Sequence, residues 1–224
     1  MPADRLPTGV RPLDALLGGG LETDSVTELY GEGGSGKTIL CLHVALAVAR
    51  AGRWVVYVDT EGLSVERLEG TAGAALPGLL ERFLVSSPKD LAEQGRAVAA
   101  ACTLARSGDR DVGLIVLDSA THHYRLALAD DHEEEGREAL ATELADLVAT
   151  ALAGPVPVLV TNQVWRSART GTLEPLGGSL VNHAAKTILE LERLPGARRR
   201  AVLHKHRSRP EGTADFAITD AGLA

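Results

Sequence analysis

Eight residues near the start of the chain read Gly31-Glu32-Gly33-Gly34-Ser35-Gly36-Lys37-Thr38. They fit the phosphate-binding loop pattern G-x-x-x-x-G-K-[ST]. Ser25 to Tyr30 alternates like a short buried strand, and Ile39 to Ala49 is apolar and long enough for a helix. The alternative, a chance match in a glycine-rich turn, does not account for this strand–turn–helix order, so we predict a nucleotide site.

The predicted loop has the chemistry to bind ATP with Mg²⁺. Unpaired N–H groups and the positive end of the helix dipole favour an anion at a helix N-terminus. Glycines let the backbone approach the phosphates closely. Lys37 would reach the β- and γ-phosphates, and the hydroxyl of Thr38 would bind Mg²⁺.

Composition restricts the class of protein. A chain of 224 residues is long enough to bury a substantial core, and we expect a single domain over residues 1–224. Two cysteines, Cys41 and Cys102, lie in apolar stretches and are expected to be buried reduced thiols. No apolar run approaches a membrane span and no signal peptide is recognisable, which predicts a cytoplasmic protein with no membrane partner. The net charge of -7 means that any nucleic-acid binding must be local.

Apolar runs alternate with helical segments after the loop, which predicts an α/β fold with a mainly parallel sheet flanked by helices. The predicted strands are Trp54 to Val58, Arg82 to Val85, Leu114 to Leu117 and Val156 to Val160. Arg137 to Ala153 is predicted to be a helix that ends at Gly154 and Pro155. Its predicted inward residues are Leu140, Leu144, Leu147, Val148, Ala151 and Leu152, and its predicted outward acids are Glu138, Glu143 and Asp146.

The end of the chain has a different pattern, with turns at Pro195-Gly196 and Pro210-Glu211-Gly212. Between and beside these turns we predict a C-terminal antiparallel meander joined to the parallel sheet. Its strands are Ile188 to Leu194, Arg200 to Arg207 and Ala214 to Thr219.

Polar residues end three of the predicted parallel strands and should meet beside the phosphate loop. Glu61 could orient or deprotonate an attacking water, and Asp118 could hold the Mg²⁺ shell. Gln163 could bond a γ-phosphate and sense its loss. A turn acid remains the alternative for Asp118, and an ordinary loop amide remains the alternative for Gln163.

Seven segments together resemble the ATPase core of the RecA/RadA recombinases, a P-loop NTPase family, over nearly the whole chain. These segments are Leu6-Pro7-Thr8-Gly9, Leu13-Asp14-Ala15-Leu16-Leu17-Gly18-Gly19-Gly20, Glu28-Leu29-Tyr30-Gly31, Tyr57-Val58-Asp59-Thr60-Glu61-Gly62, Val116-Leu117-Asp118-Ser119-Ala120, Thr161-Asn162-Gln163-Val164 and Pro175-Leu176-Gly177-Gly178. The chain is most similar to the short archaeal members. That likeness leads us to expect neither the N-terminal helix-hairpin-helix domain nor the linker phenylalanine of filament-forming relatives.

The resemblance implies the same roles for Lys37, Thr38, Glu61, Asp118 and Gln163. It further implies that Arg67 stacks on adenine, although a solvated helix arginine is the alternative. Lys205 and Arg207 resemble the K-x-R finger that touches a neighbour's γ-phosphate. Alternation would put them on one face of a strand, and a solvated basic strand is the alternative.

Two loops in the resembled family line the DNA. The first would here run from His122 through Arg125 to Glu135, and its acidic run from Asp130 to Glu135 would repel phosphates. That run could also be a solvated helix start, or with His132 a metal site. The second loop is better suited, because Trp165 could stack on a base while Arg166 and Arg169 neutralise phosphates of a single strand. Packing is the alternative for Trp165.

Three functions remain open from the sequence. The first is an ATP- and DNA-binding accessory protein of homologous recombination and repair that modulates a full-length recombinase and hydrolyses ATP weakly or conditionally. The second is an active, DNA-dependent strand-exchange ATPase that self-associates into a filament. The third is a KaiC-like regulatory ring ATPase without a DNA role. The acidic first loop and the expected absence of the N-terminal elements favour the first.

Overall fold

The structure is a computed structural model that describes residues 4–129, 132–166, 171–220 and 222–224. Its strands are β1 (Arg5–Leu6), β2 (Leu21–Glu22), β3 (Val26–Tyr30), β4 (Trp54–Asp59), β5 (Phe83–Ser86), β6 (Val112–Asp118), β7 (Val158–Asn162), β8 (Val164–Arg166), β9 (Leu173–Pro175), β10 (Ala185–Arg193), β11 (Arg198–Lys205), β12 (Gly212–Thr219) and β13 (Gly222–Leu223). Its α-helices are α1 (Arg11–Leu17), α2 (Lys37–Arg50), α3 (Val65–Ala72), α4 (Leu76–Leu80), α5 (Leu91–Ser107), α6 (His122–Ala129), α7 (Glu133–Ala153) and α8 (Ser179–Ala184). Within these ranges, no helix is long and apolar enough to cross a membrane.

A sheet of nine strands in the order β13-β12-β11-β10-β3-β7-β6-β4-β5 organises the described residues. The six strands from β10 to β5 are parallel, while β11, β12 and β13 run antiparallel at one edge. The predicted α/β class and the C-terminal antiparallel meander are therefore confirmed. In the register Tyr30 lies opposite Asn162 and Asp59 opposite Asp118, so the carboxyl ends of four parallel strands meet at one edge.

Apolar cores lie on both faces of the sheet, which is why β6 is buried along its whole length. On one face α2 packs with α1 against strand residues such as Val55 and Leu159. On the other face α5 and α7 pack against residues such as Ile115 and Val160. Cys41 and Cys102 are buried free thiols, one in each core, as predicted.

Two predictions for helix α7 are wrong. Glu143, predicted to face outward, is only 3% exposed, whereas Leu152, predicted to face inward, is 66% exposed. The predicted pattern assumed one apolar stripe facing the sheet, but α7 also packs closely against α5. Gln94 of α5 donates a hydrogen bond to Glu143 at 2.7 Å, which gives this carboxyl a polar partner inside the interface. Leu152 lies in the last turn beside Thr150 and Ala151, which are buried, so its side chain falls on the outward face of the helix.

The second strand of the meander ends earlier than predicted. β11 stops at Lys205, so Arg207 lies beyond the strand and does not share a strand face with Lys205. The side chain of Arg207 instead forms hydrogen bonds with Glu22 and Asp24, near the N-terminal strand β2. Beyond the end of β11, these side-chain bonds to residues far away in the sequence fix the position of Arg207.

Candidate functional site

The glycine-rich loop joins β3 to α2, and its backbone at Gly31 and Gly36 favours glycine. Gly36, which precedes α2, has a φ of 108°, and Gly31 has a φ of 148°. A Cβ on Gly31 would lie 2.3 Å from the carbonyl oxygen of Leu191, a distance that no real side chain tolerates. Gly36 caps α2 without any side-chain hydrogen bond, so the first-turn amides are left to an external acceptor. The loop therefore fits an anion such as a nucleotide phosphate.

Lys37 lies folded over this loop. Its Nζ donates hydrogen bonds to the carbonyl oxygens of Gly31 at 2.7 Å and of Glu32 at 3.2 Å. Burial lowers the pKa of Lys37, while the carboxylates of Glu61 and Asp118 oppose that shift. The ammonium group is thus held near the loop by neutral acceptors, which a charged phosphate oxygen would outcompete.

Asp118 lies at the end of β6, only 3% exposed, with both carboxylate oxygens hydrogen bonded. The hydroxyl of Tyr57 donates to Oδ2 at 2.8 Å, and the hydroxyl of Thr161 donates to Oδ1. Burial raises the pKa of Asp118, and hydrogen bonds from Thr161, Tyr57 and Thr38 counter it. The hydroxyl of Thr38 and a carboxylate in contact with it are hard oxygen donors, which Mg²⁺ prefers.

Glu61 follows β4 and forms a short chain of hydrogen bonds across the edge of the sheet. Its Oε1 accepts from the hydroxyl of Ser119 at 2.7 Å and from Nε2 of Gln163 at 2.7 Å. Burial opposes ionisation, but the two hydrogen bonds together with the charges of His122 and Lys37 outweigh it, and the pKa of Glu61 lies below its ordinary value. The structure thus brings together Glu61 and Gln163 with the charged form of the carboxylate favoured.

Asp59, which was not predicted as a site residue, holds Glu61 in place. Its carboxylate accepts from the backbone N–H groups of Glu61, Gly62 and Leu63 at 3.2, 2.8 and 2.8 Å. An aspartate just before a turn commonly bonds to the N–H groups that follow it, and that local signal could have identified Asp59. Tyr57 and Thr161 were also missed, because their contacts with Asp118 form across the sheet.

A cavity of about 270 Å³ brings most of these groups together. The residues that line it are Gly33, Gly34, Gly36, Lys37, Thr38, Ile39, Glu61, Gly62, Ser64, Arg67 and Asp118. A second cavity of about 500 Å³ shares Ile39, Ser64 and Arg67 with the first and extends to Ile218 in β12. Arg67 lies where the two cavities meet, which is compatible with a role beside a nucleotide base.

Lys205 and Arg207 are both engaged within their own chain. Nζ of Lys205 donates to the carbonyl oxygens of Asn182 at 2.6 Å and Ala185 at 2.8 Å. Arg207 donates from Nε to Glu22 at 2.8 Å and also pairs with Asp24. Neither residue lines the 270 Å³ cavity beside the phosphate-binding loop of its own chain.

The two segments predicted to meet DNA have different surfaces. Trp165 is 46% exposed in β8, which pairs with β9 in a small hairpin and also contains Arg166. Arg169 lies outside the described residues. The segment predicted to be the first loop is mostly helical, since α6 covers His122–Ala129 and α7 begins at Glu133. Arg125 is exposed on α6, and the acids Glu133 to Glu135 are exposed in the first turn of α7. The hairpin thus presents an aromatic side chain, whereas the start of α7 presents acids.

Comparison with known proteins agrees with this architecture. The profile of the Rad51 family matches residues 4–224. The DNA repair and recombination protein RadB of Methanoculleus marisnigri is 45% identical, covering 100% of this chain and 99% of the relative, and that of Thermoplasma acidophilum is 42% identical, covering 98% and 94%. A crystal structure of the RadB recombinase superposes with a TM-score of 0.83 at 39% identity, covering 97% of this chain and 98% of the other. The chain therefore belongs to the Rad51 family and, within it, to the RadB group.

Proposed function

We propose that this protein binds ATP with Mg²⁺ and single-stranded DNA, and that it acts as an accessory protein that modulates a full-length RadA-type recombinase. Its RadB relatives are DNA repair and recombination proteins, so family membership supports a role in that process. The accessory role and the weak, conditional hydrolysis are inferred from the residues of the site.

The loop and the residues around it support ATP binding. The uncapped first turn of α2 and Nζ of Lys37 would hold the phosphates, and Arg67 would lie beside the base. Thr38 and Asp118 would hold Mg²⁺, which when bound neutralises charge on the phosphate oxygens. Glu61 would orient and deprotonate a water, and Gln163, hydrogen bonded to Glu61, would respond to the γ-phosphate.

The observation that supports slow hydrolysis is the engagement of Lys205 and Arg207 inside the chain. Transfer of a phosphoryl group is accelerated strongly when an additional cation stabilises the charge of the transition state. The described lining of the cavity supplies Lys37 and Arg67 as cations, and Arg67 lies toward the proposed base site. Hydrolysis would consequently be slow until a partner, or a second copy of this chain, contributes another cation.

The surfaces near the site support DNA binding that is weak and local. The exposed Trp165 would stack on a base, and Arg166 with Arg169 would neutralise phosphates, with Arg125 as a further contact. The exposed acids Glu133 to Glu135 would repel a duplex from the start of α7. Such a surface suits assistance of another recombinase better than strand exchange by this protein alone.

Substitution at the phosphate loop and at Glu61 tests the nucleotide chemistry. Lys37→Ala should weaken ATP binding at least about tenfold, because a charge-assisted contact to phosphate is lost. Glu61→Gln should retain ATP binding but lower the hydrolysis rate about 10²-fold, the usual contribution of a general base. Binding is measured with a fluorescent ATP analogue and hydrolysis by phosphate release. Unchanged turnover in Glu61→Gln would remove Glu61 as the base.

Joint-molecule formation tests the accessory role. A single strand and a homologous duplex are incubated with this protein alone, with a full-length recombinase alone, and with both. We expect no product from this protein alone and a changed yield or rate in the mixture. Product from this protein alone would show an active strand-exchange enzyme, and an unchanged mixture would contradict modulation.

A further inference from the structure

Asn162, the last residue of β7, is fully buried and uses its whole amide group in hydrogen bonds. Its Nδ2 donates to Oε1 of Glu28 at 2.8 Å and to the carbonyl oxygen of Leu176 at 2.8 Å. Its Oδ1 accepts from the hydroxyl of Thr121 at 2.8 Å. Three separate segments therefore converge on one side chain.

The orientation of the amide follows from its partners. The hydroxyl of Thr121 already accepts the backbone N–H of Gln163 at 3.1 Å, so its own proton is available for Oδ1 of Asn162. The carbonyl of Leu176 can only accept, which requires the NH₂ group on that side. An aspartate here could not donate to the carbonyl, and an aliphatic residue could form none of the three bonds.

Each partner of Asn162 lies in or directly beside an element with a different place in the proposed function. Glu28 lies in β3, directly before the phosphate loop, and Thr121 directly precedes α6. Leu176 follows the hairpin β8–β9, and its N–H donates to the carbonyl of Gln163 at 2.9 Å. Gln163, next to Asn162 in the chain, contacts Glu61. The amide of Asn162 thus connects β3, the end of the hairpin β8–β9 and the residue before α6. Through Thr121 it is also linked to the backbone of Gln163.

We propose that Asn162 is a positioning residue that couples the nucleotide state read by Gln163 to the hairpin β8–β9 and to the start of α6. Thr121 and Leu176 each form hydrogen bonds with both Gln163 and Asn162. A shift of Gln163 on loss of the γ-phosphate would therefore alter the bonds of both residues. Buried polar groups are costly to leave unpaired, so these segments should move together. The inference rests on the proposed ATP and DNA binding.

The measured quantity is the ratio of single-strand DNA affinities with ATP–Mg²⁺ and with ADP–Mg²⁺, determined with a fluorescent oligothymidine. We expect this ratio to be at least about fivefold for the wild-type protein, a typical coupling between sites. Affinity for each nucleotide and the melting temperature are measured on the same samples.

Two variants each break one of two connections, from Asn162 to Leu176 after the hairpin and from Asn162 to Thr121 before α6. In Asn162→Asp with Glu28→Gln the amide and the carboxylate change places, so the bonds to position 28 and to Thr121 remain while the bond to Leu176 is lost. Thr121→Val keeps the volume of the side chain but removes its hydroxyl, so the connection from Asn162 to the start of α6 is lost. We expect each variant to bind ATP within about twofold of wild type while the ratio falls toward one.

Two matched controls keep the bonds. Thr121→Ser retains the hydroxyl, and Glu28→Gln alone retains a carbonyl oxygen that accepts from Asn162, so both should keep the wild-type ratio. If both interrupting variants kept the wild-type ratio of DNA affinities, the proposal would be overturned. A loss of ATP affinity in parallel with the ratio would also overturn it, because it would show that these bonds only maintain the structure. A wild-type ratio of one would also overturn it. Failure of the proposed function would be distinct, since the wild-type protein would then bind no oligonucleotide with either nucleotide.

Discussion

At the scale of single residues, Glu143 is a buried acid without a counter-ion among its described contacts. It lies between α5 and α7 and accepts from Nε2 of Gln94, which also donates to the carbonyl of Ala120 at 3.1 Å. Its other oxygen, Oε1, has no described hydrogen-bond partner. Burial raises the pKa of Glu143 from 4.5 to about 7, while the bond from Gln94 opposes that shift.

This raised pKa predicts how Glu143 affects stability. Between pH 4.5 and about 7, Glu143 keeps its proton in the folded protein but loses it in the unfolded chain. The free energy of unfolding of the wild-type protein should therefore fall as the pH rises through this range. Glu143→Gln cannot ionise and keeps an acceptor for Gln94. We expect a higher free energy of unfolding than wild type at pH 8, by on the order of 2–3 kcal/mol, and little difference near pH 4.5.

Urea denaturation at pH 4.5, 6 and 8 measures this difference. The control is Glu138→Gln on the same helix, where the side chain is exposed and no such gain is expected. A Glu143→Gln variant that is less stable than wild type at pH 8 would contradict a buried acid that resists ionisation.

At the scale of elements, local patterns predicted the sheet well. The strand before the phosphate loop, β4 to β7 and the meander were each located within a few residues, because continuous apolar runs and Gly or Pro turns are local signals. The burial of Glu143 could not be predicted, since it depends on contact between helices that lie far apart in the chain. The hairpin β8–β9 and the bonds of Lys205 and Arg207 were missed for the same reason. The catalytic and binding roles of the site residues stay predictions.

The contacts of Arg207 predict a structural effect at this scale. The carboxylate of Glu22 is 3% exposed and is held by Arg207 at 2.8 Å and by Arg5 at 3.0 Å. Arg207→Ala should lower the free energy of unfolding by about 1–3 kcal/mol, because a buried carboxylate loses a charged donor. Thermal and urea denaturation measure the loss. Arg200→Ala, which breaks an exposed pair with Asp215, serves as the control and should change stability little.

A different result would change the role of Arg207. Wild-type stability together with a large fall in hydrolysis would show that Arg207 acts on a neighbour's nucleotide and not mainly within its own chain. Loss of stability without a specific fall in turnover at equal folded fraction would support the intrachain role.

At the scale of the whole molecule, the net charge of -7 makes general attraction to DNA unfavourable. The proposed binding to DNA would then depend on a small local surface. The hairpin exposes the aromatic side chain of Trp165, whereas the start of α7 exposes acids. Affinity should therefore be weak and should respond to few residues.

Changing Trp165, Arg166 and Arg169 together to alanine should test this local surface. Loss of a stacked base removes about 1–3 kcal/mol, and loss of two phosphate contacts should flatten the slope of log K against log salt by about 1.4. Fluorescence anisotropy with oligothymidine at several salt concentrations measures both effects. The control, Arg11→Ala with Arg96→Ala, removes two exposed cations elsewhere and should leave the slope nearly unchanged, because long-range charge is screened. Equal flattening in both variants would mean that net charge, and not the hairpin, governs binding to DNA.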